Sequence, residues 1–87
     1  MTTLSKKDQA WLDELQAVLN RCPSPKKIGF YTIGDPTVFL YDLRKVKEVE
    51  NALNTGEASD WSPACRVVGA HIDEVIIFPS PVESTAG

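Results

Sequence analysis

The sequence predicts an α+β fold: one small domain in the order α-β-β-α-α-β, with a three-stranded, mainly antiparallel sheet packed on helices. Three observations carry this. An apolar stripe at helical spacing opens the chain. A strand-like run on either side of Gly34-Asp35-Pro36 reads as a β-hairpin. Two helix-stop patterns and a short β-branched run fill the second half. With 87 residues the chain has room for one modest core. We expect a single domain over residues 1–82 and a flexible, small and polar tail over 83–87.

Ser5 is placed to cap the first helix, with Asp8 three residues on in the position of a capping-box acid. Trp11, Leu12, Leu15, Val18, Leu19 and Cys22 follow at steps of three and four, which puts them on one stripe. Proline cannot continue a helix, so Pro23-Ser24-Pro25 ends it. The expected span is 6–21.

The hairpin spans Lys27 to Asp42. With Gly34-Asp35 as a two-residue turn, Phe30 faces Phe39 and Ile28 faces Tyr41. One face then carries Ile28, Phe30, Thr32, Thr37, Phe39 and Tyr41. The other carries Gly29, Tyr31, Ile33, Val38, Leu40 and Asp42. Pro36 leaves room for a longer loop, and a change of one residue would swap the faces of one strand. In either register both faces are rich in apolar side chains, whereas a half-buried hairpin alternates apolar with polar. One face is therefore expected to pack on helices 1 and 2 and the other to meet a second surface.

Asp42 is expected to cap a second helix from Leu43 to Asn54, with Val46, Val49 and Leu53 on a narrow stripe, Ala52 beside it and Gly56 as its stop. Ser62-Pro63 reads as a cap and first-turn proline for a short third helix ending before Gly69. Glu74 to Phe78 reads as the third strand, bounded by Pro79. Trp61, in the preceding connection, is either a lid on the core or an interface anchor; the lid is the favoured reading.

The net charge of −3 is unevenly distributed. Residues 1–47 carry eight Lys/Arg against five acids; from Glu48 onward Arg66 stands against seven, namely Glu48, Glu50, Glu57, Asp60, Asp73, Glu74 and Glu83. Such an acidic half is a solvated surface or a match for a basic protein partner, and it disfavours nucleic acid. No apolar run is long enough to span a bilayer, and no apolar signal core follows the first lysines. The expected compartment is therefore the cytoplasm, with Cys22 and Cys65 as free thiols.

The residue types that carry chemistry are thinly spread. His71 has Asp73 two residues on, but no motif places a nucleophile beside it. Cys22, Cys65 and His71 lack the clustered spacing of a zinc site, so no metal is expected. No glycine-rich phosphate loop or dinucleotide fingerprint is present, so no cofactor is expected either. The chain reads as non-enzymatic. Its candidate partner-binding residues are Ile28, Phe30, Phe39 and Tyr41, because Tyr and Phe are enriched in interface cores. The partner is another protein or a second copy of the chain. The alternative is a single-stranded nucleic-acid module that stacks bases on Phe30, Tyr31, Phe39 and Tyr41 beside Lys26, Lys27, Arg44, Lys45 and Lys47.

Several strings extend this reading. They are Leu4-Ser5 with Trp11-Leu12, Gly29-Phe30-Tyr31-Thr32-Ile33-Gly34-Asp35, Leu40-Tyr41-Asp42, Ala58-Ser59-Asp60, and Phe78-Pro79-Ser80-Pro81-Val82 with Ser84-Thr85-Ala86-Gly87. Together they cover almost the whole chain. In them it resembles a family of small accessory proteins encoded by enterobacterial tailed phages and prophages. The resemblance implies a cytoplasmic protein of the infected or lysogenic cell that binds a host protein as inhibitor or adaptor. It brings no catalytic residues with it.

Overall fold

Helix α1 runs over Lys6–Asn20 in the computed structural model, which describes residues 2–34 and 36–83. Its start is a complete capping box. The Ser5 hydroxyl accepts from the Asp8 N–H at 3.1 Å, and the Asp8 carboxylate accepts from the Ser5 N–H at 3.3 Å. The shorter acid serves where Glu is usual. Arg21 closes the helix, and the proline-bearing segment to Lys27 leads into the sheet.

Strands β1 (Ile28–Thr32), β2 (Thr37–Asp42) and β3 (His71–Ile77) form one antiparallel sheet in the order β1-β2-β3. The hairpin register corrects the expected one. Phe30 lies opposite Leu40, Tyr31 opposite Phe39, Gly29 opposite Tyr41 and Ile28 opposite Asp42. Pairing stops at Thr32 and Val38, so the connection is longer than two residues. Pro36 has no N–H to give a ladder, which works against pairing at that position. Asp35, half of the expected turn, lies outside the described residues, as do residues 84–87 of the expected tail.

A slip of one residue turns every side chain of β2 over relative to β1. Phe39 and Tyr41 therefore join Gly29 and Tyr31, while Ile28 and Phe30 join Val38 and Leu40. β3 continues both faces: Val75 sits opposite Phe39, and Ile76 opposite Val38. It also begins three residues earlier than expected. An irregularity between Phe39 and Tyr41 lets the strand resume pairing at His71.

β2 leads into a 3-10 turn, Leu43–Lys45, and then α2 (Val46–Asn54). The crossing is fixed from both sides. The Asp42 N–H donates to the Ala70 carbonyl at 2.8 Å, and the Leu43 N–H to the Lys27 carbonyl at 2.7 Å. Helix α3 covers Trp61–Val67, starting two residues before the expected position. Asp60 is its cap, accepting from the Trp61 N–H at 2.7 Å, and Pro63 falls inside the first turn, where a missing N–H costs nothing. Trp61 is thus the first residue of a helix rather than part of a connection.

At the other end Gly69 takes φ +74°. Its N–H returns to Arg66 O at 3.3 Å, and the Ala70 N–H to Cys65 O at 2.7 Å, a Schellman closure that turns the chain directly into β3. The Lys45 ammonium donates to the Val68 carbonyl at 3.2 Å, placing a cation at the same helix end.

The core is small. Tyr41, Val49, Ala52, Ala58, Ala64, Cys65 and Ala70 are buried, with Tyr31, Leu43, Val46, Leu53, Trp61 and Val68 packed around them. These residues join the Tyr41 face of the sheet to α2 and α3. The expectation that helix 1 shares this work is corrected, because no residue of α1 is buried. The molecule is correspondingly long, with extents of 49 × 29 × 21 Å. Its radius of gyration is 15.7 Å, against about 12 Å for a compact domain of this length. Among the described residues no helix is long and apolar enough to cross a membrane.

Candidate functional site

The two faces of the sheet have different fates. On the covered face Tyr31 stacks on Phe39, with ring centroids 5.3 Å apart, and Tyr41 meets Trp61 edge-on at 5.5 Å. Tyr41 is 7% exposed, and its burial pushes the phenol pKa above its ordinary value, with the Cys65 thiol and Glu50 adding to the rise. Trp61 is a lid on this core, half-buried against Tyr41.

On the opposite face Ile28, Phe30, Val38 and Ile76 line an open cleft of about 400 Å³, closed along its other side by Leu19, Cys22, Pro25 and Phe78. Phe30 remains 49% exposed. A second hollow continues under α1 between Trp11, Leu15, Ile76, Ile77, Phe78 and Pro79; Ile76 and Phe78 belong to both. The two form a trough between the apolar stripe of α1 and the sheet. Trp11 is 56% exposed at its far end.

The four candidate contact residues do not share a surface. Ile28 and Phe30 lie on the open face; Phe39 and Tyr41 lie on the covered one. The register decides this. Residues that the sequence analysis missed on the open face are Val38 and Ile76, together with Leu19 and Trp11 of α1. The helical stripe itself was legible. That it would stay unburied was not, since an apolar stripe ordinarily marks a buried one.

The base-stacking set is divided in the same way. On the helix-covered side Tyr31 contacts Phe39 and Tyr41, and Tyr41 contacts Trp61, while Phe30 lies on the other side. Of the neighbouring cations, Arg44 is committed to Asp42: its guanidinium donates twice, at 2.9 Å each. That bond holds the Asp42 carboxyl down to about 2. Glu48, Glu50, Glu57, Asp60, Asp73, Glu74 and Glu83 are all exposed.

His71 is half-buried at the start of β3, with its Nε2 3.9 Å from an Asp73 oxygen, beyond hydrogen-bond length. Cys65 is fully buried, and burial pushes its thiol pKa up; Cys22 borders the cleft. Among the described residues no group of three or more His, Cys, Asp or Glu is placed to hold a metal ion. Among the described residues that line the trough none carries a charge. It can offer apolar contact and little else.

No protein-family model, curated protein or solved structure matches this chain.

Proposed function

We propose that this chain is a small non-enzymatic protein-interaction module, a phage or prophage accessory protein that acts in the host cytoplasm by covering a surface of another protein. One observation carries the reading. The sheet presents Ile28, Phe30, Val38 and Ile76 on a face that α1 overhangs without burying any of its own residues. Exposed contiguous apolar surface on a small domain marks a contact site for protein more often than idle surface. Small-molecule sites carry a few convergent polar groups to orient the ligand, and the described residues that line this trough supply no such set. The acids of the second half are exposed, and such groups suit a basic partner, such as a host enzyme's nucleic-acid groove.

The test is capture from an enterobacterial lysate by tagged wild-type protein and by a Phe30→Ser variant of confirmed fold, read by mass spectrometry. One protein retained by wild type and lost by the variant is the expected result. Identical eluates would overturn the open face as a contact surface. Binding of labelled single-stranded oligonucleotide at low salt would instead favour the nucleic-acid reading.

A further inference from the structure

Among the described residues two apolar surfaces face one another across the trough without closing it, and they are alike in chemistry and length. One is the stripe of α1: Trp11, Leu12, Leu15, Val18 and Leu19 are all apolar, and none is buried. The other is the open face with Phe30, Val38 and Ile76. A helix of 15 residues spans about 22 Å. A strand of five to seven residues spans roughly 17–23 Å. Within one chain the segment carrying Pro23 and Pro25 holds α1 over its own sheet with the trough left open between them.

We propose that a second copy of this chain closes the trough, the α1 stripe of each copy seating on the open face of the other across a two-fold axis. This deepens the interaction reading above and rests on it. Three features of the molecule favour a second copy over an unlike partner. First, a two-fold contact needs one patch that complements itself, and stripe plus face is such a patch. Second, α1 with its cap Arg21 carries Lys6, Lys7 and Arg21 against Asp8, Asp13 and Glu14, so two copies meet there without net repulsion, while the acidic excess lies in the second half of the chain. Third, Trp11, Leu12, Val18, Leu19, Phe30 and Ile76 are each between 39% and 56% exposed, apolar surface that pairing would remove from water on both copies. The alanine-rich core is the kind that small domains supplement by association.

The experiment is sedimentation equilibrium of the full chain from low micromolar to submillimolar concentration, with Leu15→Glu and Phe30→Glu run beside wild type. Alkylation of Cys22 is followed in parallel. Cys22 lines the trough and should be shielded as the dimer forms, while persistent protection of Cys65 reports that the core is folded. The expected result is twice the 9.6 kDa chain mass for wild type. Association should weaken by about tenfold or more in each variant, with Cys22 alkylation slowing as wild-type concentration rises. A monomer throughout overturns the dimer; the interaction reading then stands if Phe30→Ser still loses a captured protein and falls if it does not. A dimer untouched by both variants places the contact elsewhere, such as the edge of β3, and overturns the proposal equally.

Discussion

The ring of Tyr41 lies across the backbone of Gly29, its antiparallel partner on β1, so closely that a Cβ at position 29 would overlap the ring. The strand glycine is there for space. In an ordinary strand, replacing Gly with Ala would stabilise by limiting the unfolded chain. Here Gly29→Ala should destabilise by about 2 kcal/mol, because the largest core side chain has to move. Chemical denaturation checks this; a neutral or stabilised variant would show that the ring does not rest on the glycine.

The register divides four aromatic and aliphatic residues into two energetic classes. Tyr41→Ala should cost about 3–5 kcal/mol, as for a buried aromatic. Phe30→Ser, on the open face, should stay within about 1 kcal/mol for the isolated chain. Urea unfolding of the two variants separates them. Equal losses would mean that both faces are core.

Tyr41 also gives the fold a signature at alkaline pH. Its burial raises the phenol pKa above the ordinary 10.0, with the Cys65 thiol and Glu50 adding to the rise. The folded state keeps a proton that the unfolded state has begun to release, so stability falls as pH climbs past 10.0. Tyr41→Phe should flatten that fall. Ultraviolet titration of the phenols should show one group ionising late.

At acid pH the opposite sign applies. The Arg44 guanidinium hydrogen-bonded to Asp42 lowers its carboxyl from 3.8 to about 2. The stability this contributes is complete above the unfolded value and is lost as pH falls through the folded one, between about 5 and about 1. Asp42→Asn should lower the melting temperature at neutral pH and make a steadily smaller difference as pH falls, with most of it gone by about pH 2, a comparison read by circular dichroism melts. A constant offset at all pH values would assign the effect to the cap of the 3-10 turn rather than to charge.

The two thiols should separate by reactivity. Cys65 is fully enclosed between α2, α3 and Tyr41, and burial holds its proton; Cys22 is half-buried at the trough. Iodoacetamide under native conditions should modify Cys22 alone, and Cys65 only on unfolding. Simultaneous modification would mean that α3 opens easily.

The structure settles Trp61 as a lid, at a cost. Its ring closes on Tyr41, yet the buried indole Nε1 has no hydrogen-bond partner among the described residues. An unpaired buried donor costs roughly 1–3 kcal/mol. Trp61→Phe removes that donor while keeping an aromatic edge, so it should cost less than about 1 kcal/mol, against about 2 for Trp61→Ala. Thermal melts of the pair test the balance.

Local chemistry alone determined the elements of this protein. Ser5 with Asp8, Pro23, Gly56 and Gly69 each act within a turn of where they stand, so the order of helices and strands was readable, as was the antiparallel hairpin. Where chemistry is shared between neighbours the reading slipped by a residue or two. Asp60 rather than Ser62 caps α3, and β3 reaches back to His71 through an irregular pairing that no side-chain pattern announces. Only the tertiary structure decided which face is core. Both faces of the hairpin are apolar, so hydrophobic pattern could not fix the register. The extra length of the connection at Pro36 did so, sending Tyr41 under α2 and α3 and leaving Phe30 in the open. The unburied stripe of α1 has the same origin. Periodicity states which residues share a side of a helix, but whether anything covers that side depends on where Pro23 and Pro25 aim it, a long-range matter that no local interaction encodes.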